Sequence, residues 1–152
     1  MNAAAPIRPG LVPPGSTIGI LGGGQLGRML ALAAAQLGYR THVFVPEADS
    51  PTAQVAAAAT VARYDDLDAL SRFAAAVDVV TFEFENVPAA TAQHLAALRP
   101  LHPSPSVLAI AQDRLAEKRF LNGIGVATAP FRAVATPDEL AGLVFLAGYA
   151  RP

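Results

Sequence analysis

A chain of 152 residues can hold one domain with a full core, or one domain and part of a second. Its net charge of -1, with both signs interspersed, excludes the basic groove of a nucleic-acid binder and the polybasic patch of a membrane-surface protein. The lack of cysteine excludes disulfides, thiolate metal sites and cysteine nucleophiles, and fits a reducing, cytoplasmic setting.

Residues 1–16 are rich in proline and glycine and have no period, so they read as a loose leader. Prolines stand there where a signal peptide needs an apolar helical stretch. Thr17-Ile18-Gly19-Ile20-Leu21 is a β-prone run that predicts the first strand, and Gly22-Gly23-Gly24 follows it. A helix is expected from about Gln25, with Leu26, Met29, Leu30, Ala33 and Leu37 as its apolar face and Gly38 as its stop. The apolar run Met29–Leu37 is broken by Gln36 and falls short of the roughly 20 residues that span a bilayer.

Thr41–Val45 predicts a second strand, ended by Pro46, and Thr60–Ala62 a short third. Asp66 is placed to cap a helix that buries Leu70, Phe73, Ala74 and Val77. Val79–Phe82 is continuously apolar or β-branched, the pattern of a parallel strand buried on both faces. Pro88 suits the first turn of a helix running to about Leu98. Alternation of strand and helix makes the fold class α/β with a parallel sheet. Beyond Pro103 the pattern turns helical: Ser104-Pro105 opens one segment to about Gln112, Arg114 to Asn122 forms another, and Thr136-Pro137-Asp138-Glu139 starts a third.

Gly22–Gly27 follows a strand and opens a helix, where close backbone approach, free N–H groups and the helix dipole favour an anion. The G-x-G-x-x-G spacing also fits a dinucleotide site, and glycines that only permit close strand–helix packing are the bland alternative. A dinucleotide site wants an acid after the second strand; Glu47 stands there, yet behind Pro46 it reads better as a solvated turn acid. The direction of its side chain relative to Gly22–Gly24 decides. Phe82-Glu83-Phe84-Glu85-Asn86-Val87-Pro88 carries two carboxylates at the C-terminal end of a strand, the edge where open α/β sheets bind ligands. Period-two alternation puts Glu83 and Glu85 on one side if the strand persists. The competing role is a helix-start acid, a reading that weighs more on Glu85 than on Glu83. Asp113–Arg119 is a mixed charge run, on its own a solvated helical face.

In order and spacing, GGGQLGRM, FEFENVP and DRLAEKRFLNGIGVATAPF over Thr17–Phe131 resemble the N5-carboxyaminoimidazole ribonucleotide synthetase family of ATP-grasp ligases. The resemblance implies a Rossmann-like pre-ATP-grasp domain over 17–112 and the truncated start of an ATP-grasp domain over 113–152. It implies a parent enzyme that uses ATP, Mg2+ and bicarbonate to carboxylate 5-aminoimidazole ribonucleotide, and it leaves open a homodimer. By the same resemblance Gln25, Leu26 and Glu83 bind the ribonucleotide and Arg114 touches ATP phosphates, while Lys118 and Arg119 stay surface charges; Gly24 joins the binding residues as the loop glycine that allows close backbone approach. The segment like Gly148-Tyr149 leads, in the family, into a strand with an ATP-binding lysine that lies past Pro152. No catalytic residue and no metal ligand therefore falls in the chain, which reads as an inactive fragment. The competing readings are the dinucleotide domain of an NAD(P)-dependent oxidoreductase and a non-enzymatic nucleotide-binding module.

Overall fold

The structure, a computed structural model, describes residues 11–146. The leader before residue 11 and the Gly148-Tyr149 segment lie outside the described residues. The chain divides into two compact units, Met1–Gln112 and Asp113–Pro152.

The first unit alternates strand and helix: β1 (Thr17–Leu21), α1 (Gln25–Gln36), β2 (Arg40–Val45), β3 (Ala58–Val61), α2 (Leu67–Ala75), β4 (Val79–Phe82), α3 (Ala89–Leu98) and α4 (Pro105–Ala111). The strands form one parallel sheet in the order β3-β2-β1-β4. The chain thus winds outward from β1 to β3 and then returns to the other side of β1 at β4. Right-handed crossovers then put α1 and α2 on opposite faces of the sheet. Leu21 pairs with Phe44 on one side and with Phe82 on the other, so the residues that follow β1, β2 and β4 emerge side by side.

One face holds most of the core. Leu21, Phe44 and Val80 point to it from the sheet and meet Leu70, Phe73 and Ala74 of α2, Leu95 of α3 and Leu108 of α4. Phe44 and Phe73 pack edge to face at 5.4 Å between ring centres. Each such ring, fully buried, stabilises the fold by about 1.5–3 kcal/mol. The expected apolar face of α2 is the buried one, and Asp66 caps the helix by accepting the Ala69 N–H at 2.9 Å.

On the other face the expectation for α1 is reversed. Its buried residues are Gly27, Ala31 and Ala34, whereas Leu26, Met29, Leu30 and Leu37 are exposed. The cause is close approach. A Cβ at Gly27 would stand 2.4 Å from Thr52 Oγ1, so only a stripe of small residues lets the helix settle against the β2–β3 loop and the sheet. Periodicity located the helix but not its inward face.

β4 also departs from expectation. Only Val80 is buried, and Val79, Thr81 and Phe82 are half-buried. As the last strand in the order it has a named strand on one side only, with the single bridge Val80–Leu101 on the other. The third strand begins two residues earlier than expected, at Ala58, and ends at Val61.

The second unit contains α5 (Arg114–Gly123) and α6 (Pro137–Leu146). Asp113 caps α5 by accepting the N–H groups of Leu115 and Ala116, both at 2.8 Å. α5 ends on Gly123, one residue past the expected Asn122, and the left-handed residue beyond it is Gly125, at φ +83°. Thr136 Oγ1 accepts the Glu139 N–H at 3.2 Å at the start of α6.

Candidate functional site

The C-terminal ends of the strands surround a cavity of about 530 Å³ in the first unit. Each wall follows a strand. Gly23 and Gly24 come from the loop after β1, Glu47 and Ser50 from the loop after β2, Tyr64 from beyond β3, and Glu83 from beyond β4. This is the ligand edge of an open α/β sheet, and β1 and β4 lie where the winding reverses.

Glu83 is the centre of the arrangement. Its own N–H donates to the Leu21 carbonyl at 3.2 Å, which fixes its backbone beside the first residue of the glycine loop. Its half-buried side chain turns back over that loop and accepts the Gly24 N–H on Oε1 at 3.1 Å. Gly22, at φ +121°, leaves the space the glutamate stem occupies. The anion at this helix N-terminus is therefore a carboxylate of the chain itself, not the phosphate that the glycine pattern favours by its spacing. Gly24 is needed less for its conformation, since its φ is -74°, than for the close approach of the glutamate: a Cβ there would stand 3.1 Å from Glu83 Oε1.

The lining is acidic. Glu47, Asp49 and Glu83 all border the cavity, and among the described residues no lysine or arginine does. Burial, and then the charges of Glu47 and Glu83, push the Tyr64 phenol up to about 12, so at neutral pH it keeps its proton and can donate. Its ring lies 5.8 Å from that of Phe84. Carboxylates accept hydrogen bonds and cannot donate them, so the cavity suits a ligand part rich in amine or hydroxyl donors, with a flat surface against Tyr64. It disfavours a phosphate.

The sequence-derived residues separate. Gly24 and Glu83 are in contact. Gln25 and Leu26 form the exposed first turn of α1 and do not border the cavity. Glu47, read as a solvated turn acid, is exposed yet faces the same cavity as Gly23 and Gly24. Glu85 parts from Glu83 because β4 ends at Phe82; it is exposed, and its carbonyl, with that of Val87, accepts from the Gln112 side chain. Sequence reasoning missed Tyr64 and Ser50. The position of Tyr64 just past a parallel strand was the available signal.

Arg114 belongs to the second unit. It borders a separate cavity of about 680 Å³ there, with Lys118, Phe131, Arg132 and Glu139. Its guanidinium pairs with Glu117 at 2.5 Å, one turn along α5. Lys118, read as a surface charge, instead borders this cavity; its ammonium lies 5.2 Å from the centre of the Phe131 ring and donates to the Ala129 carbonyl at 3.4 Å. Arg119 is exposed and borders none of the cavities described.

The profile of the ribonucleotide synthetase preATP-grasp domain matches residues 16–112. The N5-carboxyaminoimidazole ribonucleotide synthase of Brucella melitensis is 56% identical over 127 residues, covering 84% of this chain and 35% of that protein. Among solved structures, the ADP complex of an N5-carboxyaminoimidazole ribonucleotide synthetase superposes with a TM-score of 0.85 at 42% identity, over 91% of this chain and 37% of that one. The Aspergillus clavatus synthase in complex with ADP and 5-aminoimidazole ribonucleotide gives 0.79 at 31% identity, over 89% of this chain and 37% of that one. The chain thus spans little more than a third of the length of these relatives.

Proposed function

The chain belongs to the ribonucleotide synthetase preATP-grasp domain family, and on that premise we propose that its first unit holds 5-aminoimidazole ribonucleotide for an ATP- and bicarbonate-dependent carboxylation. The product is N5-carboxyaminoimidazole ribonucleotide, a step of purine biosynthesis, and the setting is cytoplasmic. The observation that carries this reading is the Glu83 carboxylate, held on the Gly24 N–H at the mouth of an acidic, tyrosine-walled cavity. Such a site takes the hydroxyl and amine groups of the ribonucleotide through Glu83 and Glu47, sets Tyr64 against a flat ring, and leaves the phosphate outside. Gln25 and Leu26, exposed on the first turn of α1, contact the ribonucleotide beyond the cavity.

The second unit, from Asp113, we read as the start of an ATP-grasp domain. Arg114, Lys118 and Arg132 bring cationic groups to one cavity, a donor set that fits a polyphosphate such as that of ATP. ATP supplies the phosphoryl group that activates bicarbonate; these side chains bind and orient its phosphates. Among the described residues no group of three or more His, Cys, Asp or Glu side chains is placed to hold Mg2+.

The dinucleotide reading meets an obstacle at Glu83. A pyrophosphate needs the N–H groups at the start of α1, and a carboxylate already sits on that of Gly24. Calorimetric titration of the chain with 5-aminoimidazole ribonucleotide and with NAD separates the two. Heat of binding with the ribonucleotide and none with NAD is expected; micromolar affinity for NAD would put the oxidoreductase reading first.

A further inference from the structure

One buried residue outside the cavity lining is hydrogen-bonded twice to the loop that carries Gly24. Thr52 follows β2 and is fully inaccessible to solvent. Its N–H donates to the Gly23 carbonyl at 3.0 Å, and its Oγ1 donates to the Gly24 carbonyl at 2.9 Å. The two carbonyls belong to successive peptides, so a single residue fixes two peptide planes of the glycine loop. The first of those planes also contains the Gly24 N–H, the group that holds Glu83 Oε1 at 3.1 Å. Thr52, the Gly23–Gly24 peptide and Glu83 form one hydrogen-bonded chain across the loop. Accepting at the carbonyl polarises the N–H on the far side of the same peptide, so each bond strengthens the next.

Thr52 has little freedom to do otherwise. Its hydroxyl lies against Gly27, where a Cβ would stand 2.4 Å from Oγ1 and 3.3 Å from Cγ2. Its own carbonyl accepts the N–H groups of Val55 at 3.1 Å and Ala56 at 3.0 Å. α1 gives up a side chain at Gly27, and the loop between β2 and β3 folds into the space.

We propose that Thr52 is a positioning residue for the ligand site, acting through the two peptides that meet at Gly24, the first held by its N–H and the second by its hydroxyl, to set the direction of the Glu83 carboxylate. The proposal rests on the ribonucleotide reading for its ligand but not for its linkage. Thr52 touches no ligand. It orients the amide that takes one acceptor position of Glu83, which leaves the remaining acceptor positions of the carboxylate aimed at the cavity.

The test uses the 152-residue chain as wild type, Thr52→Val and Thr52→Ser, read by backbone amide spectra and by calorimetry with 5-aminoimidazole ribonucleotide. Valine keeps the branched shape and removes the hydroxyl; serine keeps the hydroxyl. Thr52→Val keeps the backbone bond to Gly23 and loses the hydroxyl bond to Gly24, so it is expected to move the Gln25 amide proton upfield, to shift the Gly24 amide as the peptide between them turns, and to weaken the ribonucleotide about tenfold, while Thr52→Ser retains all three. A folded Thr52→Val chain whose Gly24 amide is unmoved overturns the proposal, and so does a Thr52→Ser chain that fails like valine. The Glu83→Gln chain provides the reverse reading with Thr52 intact: its Thr52 amide shifts if the linkage exists and stays if it does not. A wild-type chain that binds no ribonucleotide sinks the functional reading, and the amide shifts still decide the linkage.

Discussion

Glu83 lies across Gly22: a methyl group at Gly22 would stand 2.6 Å from Glu83 Cγ and 2.7 Å from Oε1. Gly22 also holds φ at +121°, where an L side chain is strained. Gly22→Ala therefore meets two costs. The backbone conformation alone is worth about 1–3 kcal/mol, and the glutamate has to swing away from the loop. Thermal unfolding should show the loss of stability, and the Gly24 amide should lose its protection from hydrogen exchange. A variant of wild-type stability with the Gly24 amide still protected would show that the glutamate stem packs elsewhere.

Glu83→Gln keeps the size of the side chain and leaves one oxygen for the Gly24 N–H. It turns the other acceptor into a donor, facing whatever amine or hydroxyl the cavity receives. A loss of about 1.5–3 kcal/mol in ribonucleotide affinity is expected, the range for hydrogen bonds to charged groups. ATP affinity should stay constant. Calorimetry reads both, and equal ribonucleotide affinity for the two chains would reduce Glu83 to an acid that merely steadies the loop.

Tyr64 predicts an alkaline signature. Its phenol is raised from 10.0 to about 12 in the folded chain, by burial first and then by Glu47 and Glu83. Below pH 10 both folded and unfolded chains hold the proton, and the contribution to stability is complete. As pH rises from 10 toward 12 the unfolded chain releases its proton first, so stability falls through that window. Denaturant unfolding at stepped alkaline pH should show the decline, and Tyr64→Phe should flatten it. The tyrosinate absorbance of the wild type should include a late-titrating component that the variant lacks.

On α1 the two faces should respond in opposite ways. Gly27→Ala places a Cβ 2.4 Å from Thr52 Oγ1, a short buried side chain that cannot turn aside. A cost of about 1–3 kcal/mol is expected from overpacking. Met29 is 58% exposed, and Met29→Lys should change stability by no more than about 0.5 kcal/mol. Urea midpoints of the two variants check the pair. Equal destabilisation would mean that the large apolar side chains, not the small ones, face the sheet.

These contrasts mark how far the sequence could be read. Strand runs such as Thr17–Leu21 and Val79–Phe82, and caps such as Asp66, act over a few residues, so their positions were legible. The inward face of α1 was not. Apolar periodicity assumes that the largest side chains go inside, and here the distance from helix to loop selects the smallest. The site was legible in part for a similar reason. Glu83 follows from its place after a strand, whereas its bond to Gly24 links residues 59 apart in the chain, and Thr52 looks like an ordinary loop threonine until the fold brings it against Gly27.

The acidic lining carries a kinetic consequence. Glu47, Asp49 and Glu83 repel an approaching phosphate ester over distances comparable to the screening length, roughly 8–10 Å at physiological ionic strength. Most electrostatically guided encounters slow as electrolyte is added, because screening weakens the attraction that draws the partners together. Entry of a ribonucleotide into this cavity should do the reverse, accelerating as counterions screen the carboxylates, with its escape rate far less affected.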